Sequence, residues 1–186
     1  MDLFFEERKR NTIRMHKHDY AGWGYYFVTI KTQGNRHLFG RIEKGRVVLN
    51  DLGQIVQSEW RRTADMRPDV RIDEFVIMPD HFHGILIMNL AKNGNQTDIK
   101  YRLSPTGGKI KNQSGSLAAV ISGFKSAATS KINKLRGSSQ PAIWHRNYYE
   151  CIIPDARALM SIRRYIRDNP AQWTRRARKG DLRSPV

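Results

Sequence analysis

Two apolar runs, Val70–Met78 and His81–Met88, follow one another with only Pro79-Asp80 between them. Parallel strands need a crossover of a dozen or more residues, and two residues cannot supply one. The pair must therefore form an antiparallel hairpin or a single bent, bulged strand, and the rest of the chain has to be arranged around it. Upstream, Tyr25-Tyr26-Phe27-Val28-Thr29-Ile30 is aromatic and β-branched and reads as a strand over Gly24–Thr32, covered on at least one face. Arg46–Leu49 suits a short strand. Asn50-Asp51 offer caps for a helix to about Met66, with Leu52, Ile55, Val56 and Trp60 at helical spacing.

Downstream, Leu117, Ile121, Phe124, Ala128, Ile132 and Leu135 form a stripe at steps of three and four, predicting a helix from about Ser116 to Leu135. A Gly137-Ser138-Ser139 turn leads to a strand expected over Ile143–Ile153. Asp155 is the expected N-cap of a third helix, which should end near Asn169 because Pro170 disfavours the α conformation in the residue before it. The order is strand, helix, strand, strand, helix, strand, then a final helix. It predicts an α+β fold, a ferredoxin-like sandwich with an antiparallel sheet and helices on one face. One domain is expected over 23–173, flanked by a basic N-terminal extension (1–22) and a basic C-terminal tail (174–186). Residues 91–118, dominated by Asn, Gly, Gln, Ser and Lys, read as a flexible basic loop.

Charge narrows the partners. Lys plus Arg outnumber Asp plus Glu by 33 to 17, a net charge of +16, and such a surplus makes a positive surface field that attracts polyanions. Nucleic acid leads; an inert basic surface is the plain alternative. No apolar run reaches the ~18 residues of a spanning helix, and Met1–Glu7 lacks the build of a signal peptide, so no membrane partner and a cytoplasmic location are expected. Cys151 is the only cysteine, which excludes an intrachain disulfide and a thiolate cluster.

Chemistry concentrates in Met78-Pro79-Asp80-His81-Phe82-His83-Gly84. On a strand, residues i and i+2 share a face, so His81 and His83 project together while Phe82 turns to the other side. Two adjacent imidazoles make two corners of a divalent-metal site; read alone they are equally open to being two hydrogen-bonded or surface histidines. On the third helix Leu159, Ile162 and Ile166 form the expected buried stripe, with Tyr165 and Asn169 along its edge. They could be aimed together at the sheet, or simply pack a ring and cap the helix.

These stretches resemble the HUH motif (His, hydrophobe, His) of single-tyrosine HUH transposases, and more closely the REP-associated tyrosine transposases. Pro79-Asp80-His81-Phe82-His83-Gly84 is similar to that family's histidine pair. Trp144-His145-Arg146-Asn147-Tyr148-Tyr149-Glu150 resembles its Trp-x-x-x-Tyr-Tyr/Trp-Glu strand, and Tyr165–Pro170 its Tyr-x-x-x-Asn-Pro helix end. Gly123-Phe124-Lys125-Ser126 also looks like a family helix, so the likeness spans roughly Gly22 to Trp173. It implies a transposase that cuts and rejoins single-stranded or hairpin DNA, such as a REP element, through a covalent 5′-phosphotyrosine. His81 and His83 would be metal ligands, Asn169 a third ligand and Tyr165 the nucleophile. Tyr148 and Tyr149 are rivals, the fallback being whichever faces the histidines.

The implied metal is Mg²⁺ or Mn²⁺, the imidazoles favouring the softer ion. Lys125, Lys109, Lys111, Arg175 and Arg176 are the expected DNA contacts. A homodimer is compatible with the resemblance. Three other readings stand beside it: a non-catalytic nucleic-acid-binding module with an open sheet face, an HUH replication initiator, and a metallohydrolase recruiting Asp73, Glu74 or Asp80.

Overall fold

The computed structural model describes residues 24–88 and 116–178, the side chains through 175. Lys109, Lys111, the 1–22 extension and most of the 91–118 segment therefore lie outside the described residues, as does the side chain of Arg176. The elements in chain order are β1 (Gly24–Lys31), β2 (Gly40–Glu43), β3 (Arg46–Leu49), α1 (Asp51–Asp65), β4 (Val70–Ile77), β5 (His81–Met88), α2 (Leu117–Arg136), β6 (Tyr149–Ile153) and α3 (Ala156–Arg178).

The main sheet has the order β4-β5-β1-β6, with every neighbour antiparallel. Setting aside the separate β2–β3 hairpin, the chain runs strand, helix, strand, strand, helix, strand with the last and first strands adjacent. That is the ferredoxin-like α+β arrangement the sequence predicts.

Strand alternation divides the interior in two. Tyr26, Val28 and Ile30 of β1 with Phe82, Leu86 and Met88 of β5 face α1 and α2, where Trp60, Ile121, Phe124, Ala128 and Ile132 join them. Phe82 lies 4.5 Å from Trp60 and 5.6 Å from Phe124, centroid to centroid. The alternate residues Phe27 and Ile85 meet Ala158, Leu159 and Ile166 of α3 on the opposite face. Helices thus cover both faces, not one. The two crossover helices share a face, and the apolar stripe of α3 takes the other because Phe27 and Ile85 need cover there.

The caps follow the sequence. Asn50 accepts from the Gly53 amide at 3.0 Å, Ser116 from Ala119 at 3.3 Å and Asp155 from Ala158 at 2.7 Å. Three expectations need correction. The β2–β3 hairpin adds a strand the sequence hid, because in Gly40–Glu43 only Ile42 offers an apolar side chain. The last strand begins at Tyr149 rather than Ile143. Trp144 makes only an isolated bridge to Thr32, and residues 145–148 bulge between that bridge and the Thr29–Tyr149 pair. Finally, α3 runs through Asn169 and Pro170 to Arg178. A helical proline forfeits one backbone hydrogen bond, at about 3 kcal/mol. Packing beyond it offsets the loss: Ala171 lies under the Gly45 turn of the hairpin, and Trp173 meets the rings of His37 and His81. Arg175 is therefore helical, within α3 and not in a separate tail.

Gly84 tests the aromatic side. A Cβ there would stand 2.7 Å from the Phe82 ring and 2.8 Å from Trp60, atoms locked in the core. We expect Gly84→Ala to lower stability by about 1–3 kcal/mol through overpacking. Urea unfolding followed by circular dichroism measures it, and an unshifted midpoint would show that the ring cluster yields freely.

Candidate active site

The site starts from the register of β1 and β5. Thr29 pairs with His83 and Lys31 with His81, so these four side chains share the α3 face. Both histidines are 1% exposed, and their ring centroids are 4.6 Å apart. Each is held by its Nδ1. His81 Nδ1 donates to Asp80 Oδ1 at 2.5 Å, and His83 Nδ1 is 2.8 Å from Thr29 Oγ1. In the tautomers that donate from Nδ1, both Nε2 atoms carry lone pairs: that of His83 faces the Tyr165 hydroxyl, and that of His81 has no hydrogen-bond partner among the described residues. A histidine oriented by a carboxylate or hydroxyl on one nitrogen, with the other nitrogen open, is the usual build of a metal ligand.

Helix α3 brings the remaining groups. Tyr165 is partly buried, its hydroxyl 3.4 Å from His83 Nε2 and its ring 6.2 Å from Phe27 in an edge arrangement. Asn169, one turn on, is 2% exposed, deeper than the edge position the sequence predicts. Its Oδ1 and the Nε2 of His81 are buried without a hydrogen-bond partner among the described residues. Leaving such atoms unsatisfied costs about 1–3 kcal/mol each, so the pair points to something they bind. Among the described residues no cluster of three His, Cys, Asp or Glu side chains forms that could hold a metal. Among the described residues a third protein ligand beside these histidines would be of another type, and an amide oxygen qualifies. The two imidazoles and the amide fit a divalent ion.

The helix is held in place by a bulge in β4, where Asp73 and Glu74 together stand opposite Ile85 of β5. Asp73 accepts from Arg163 Nε at 3.1 and 3.0 Å and from Nη2 at 2.6 Å, and Glu74 accepts from Arg167 at 3.3 Å. These carboxylates clamp α3 to the sheet and are not metal ligands in waiting. Thr29, Trp173 and the Arg163–Asp73 pair were not singled out as parts of this site from sequence, and Asp80 was named only as a candidate ligand. The alternation of β1 opposite His83 could have revealed Thr29, and Asp80 stands next to His81 in the chain, whereas the others depend on how α3 docks.

The structure also sorts the rivals. Thr29 pairs with Tyr149 on its other side, so Tyr149 shares the histidine face one strand beyond Thr29, while Tyr148 packs toward the α1–α2 core. Burial raises the Tyr149 pKa, with the neighbouring Cys151 acting in the same sense, which makes its phenolate scarcer. Lys125 is placed differently from its expected role. Its ammonium donates to the carbonyls of His145 at 2.8 Å and Arg146 at 3.0 Å, inside the protein's own framework. Arg175 is exposed. The sheet face that an RNA-recognition module would leave open is partly covered here by α3.

A curated protein of Haemophilus influenzae, described as an uncharacterized protein, is 37% identical over 164 residues, covering 88% of this chain and 89% of its own. The chain belongs to the same family as that protein. No family model matches the chain. Among solved structures, a REP-associated tyrosine transposase bound to a REP hairpin superposes with a TM-score of 0.53 and 16% identity, over 86% of this chain and 72% of that one. The chain thus has a transposase-like α+β fold. Among the described residues no helix is long and apolar enough to cross a membrane.

Burial holds the His83 pKa well below the ordinary 6.5, and the neighbouring His81 and Lys31 push it further down. Below pH 6.5 the unfolded chain therefore takes up a proton that the folded chain refuses. In metal-free protein this contribution to stability is complete above about pH 6.5 and declines as the pH falls toward the depressed native value, by up to about 1.4 kcal/mol per pH unit. Chemical denaturation in EDTA between pH 7.5 and 5 should show the decline, with a shallower slope for His83→Gln; equal slopes would contradict it.

Proposed function

We propose that this protein cleaves and rejoins single-stranded DNA as a metal-dependent tyrosine transposase, with Tyr165 as the nucleophile and His81, His83 and Asn169 as metal ligands. The observation that carries the reading is the Tyr165 hydroxyl, 3.4 Å from His83 Nε2, together with two buried polar atoms, on His81 and Asn169, that lack partners among the described residues. The likeness to a transposase solved with a hairpin supports the substrate class, and the net charge of +16 suits a polyanion.

When bound, Mg²⁺ or Mn²⁺ acts as a Lewis acid toward a phosphate oxygen. The chain supplies everything else. Asp80 and Thr29 fix the two imidazoles so that no reorganisation is needed at the moment of reaction. Tyr165 Oη bonds to phosphorus as the bond to the 3′ oxygen breaks; the phenolic proton passes to solvent, and the departing 3′ oxygen takes one up. The products are a 5′-phosphotyrosine and a free 3′-OH. A second 3′-OH can attack that phosphotyrosine, releasing the phenol and restoring a phosphodiester without an energy source.

Helix α3 lies against its own chain's histidines, so one chain carries the full set of groups. Hairpin-bearing single-stranded DNA with Mn²⁺ should yield an SDS-resistant protein–DNA adduct. Tyr165→Phe should abolish it, and His81→Ala should reduce it at least 100-fold by removing a ligand. An adduct at wild-type level in Tyr165→Phe would overturn the nucleophile; undiminished cleavage by His81→Ala would overturn the metal site.

A further inference from the structure

Residues 145–148 form a bulge in which only Tyr148 packs on the core, yet it is tied down at many points. Four residues here stand opposite only Ile30 and Lys31 of β1. The His145 amide donates to the Lys31 carbonyl at 2.9 Å, and the Asn147 amide donates to His145 Nδ1 at 3.3 Å. From α2, Lys125 donates to two successive carbonyls of the bulge, those of His145 and Arg146. At its base the Gln33 amide bonds the Ile143 carbonyl at 2.8 Å, and Arg36 bonds the Ala142 carbonyl.

Apart from Tyr148, the side chains thus held are not core. His145, Arg146 and Asn147 are all exposed, and Tyr149 is 36% exposed. Burial lowers the Lys125 pKa, so inserting that ammonium carries a cost. A fold gains little from fixing an exposed bulge in this way unless the side chains on it must be preset. No hydrogen bond or ion pair to the Arg146 guanidinium is found among the described residues.

Position supplies the purpose. The bulge lies beside Lys31, the partner of His81, and Tyr149 lies in the row His83–Thr29–Tyr149. Two strand spacings, about 10 Å, separate Tyr149 from His83 along one continuous face. We propose that residues 145–149 form a lip that binds single-stranded DNA next to the cleavage site, Tyr149 stacking on a base and Arg146 meeting a phosphate. The inference deepens the proposed function and rests on it. An exposed ring, three residues along from a guanidinium without a partner among the described residues, suits an unstacked strand, because a base offers its face to a side chain only outside a duplex. Lys125 is then a positioning residue that keeps the lip in shape, not a DNA contact.

The test separates binding from chemistry by working in the Tyr165→Phe protein with a fluorescein-labelled single-stranded oligonucleotide. Fluorescence anisotropy should show Arg146→Ala weakening binding about tenfold, with the salt slope smaller by about 0.7. Tyr149→Leu should weaken it about tenfold, and Tyr149→Phe, which keeps the ring, should restore most of the affinity. A 5-iodouracil beside the cleavage position should photocrosslink to Tyr149. Lys125→Met should lower affinity, with a thermal melt distinguishing a loosened lip from general unfolding; the two exposed variants carry the test in either case.

Parent-level binding by both Arg146→Ala and Tyr149→Leu, with adducts still formed by protein retaining Tyr165, overturns the lip and leaves the proposed function standing. Lip-dependent binding in a protein that never forms an adduct supports the lip and removes the catalytic reading. Tighter lip-dependent binding of the matching RNA strand overturns the choice of DNA.

Discussion

The antiparallel pairing of β1 with β5 is the constraint from which the other features follow. Once Thr29 is opposite His83, alternation sends Phe82 into the aromatic core and both histidines to the other face. A slip of one residue would exchange those faces, putting imidazoles among Trp60 and Phe124 and turning Phe82 toward α3. The register is protected because each face has its own demand. One is filled by large rings; the other needs Thr29 at hydrogen-bond distance from His83 Nδ1.

Helix α3 answers to that second face. Its apolar stripe gives it a reason to dock but does not alone fix where along the sheet it sits. The β4 bulge does more, since Asp73 and Glu74 meet Arg163 and Arg167, one turn apart on the helix. The Arg163 contact is the stronger, being charge-assisted and two-pronged with Asp73 only 13% exposed. Arg167–Glu74, at 61% and 33% exposure, adds alignment more than energy. Tyr165 and Asn169 lie in the same helical register as these arginines, so setting one pair sets the other.

Much of this was legible in the sequence because it is periodic. The His81–His83 pair, the Phe82 reversal, the helix stripes and the Asn50 and Asp155 caps all follow from local spacing. What failed was decided by tertiary contact. Pro170 is a sound local stop signal, yet the helix passes it because Ala171 and Trp173 find partners in the hairpin and at His81. Tyr148 and Tyr149 look alike in sequence, and only the pairing of Tyr149 with Thr29 decides which one meets the histidine face. Lys125 shows the same limit: a lysine on a basic helix reads as a phosphate contact until its ammonium is found between two backbone carbonyls.

The two faces also divide the energetic work. Burying Trp60, Phe82, Phe39 and Tyr26 completely contributes roughly 1.5–3 kcal/mol for each side chain, and none of these carries a group the chemistry needs. The opposite face holds a desolvated histidine pair, a buried amide oxygen without a partner and a helical proline, all of which cost stability. A small domain can hold a preorganised polar site only if something else folds it. Here a single strand serves both needs, since consecutive residues of β5 belong to different interiors. Gly84 is the point where they compete: it follows a histidine of the site, and any larger residue there would press on the rings that keep the site in place.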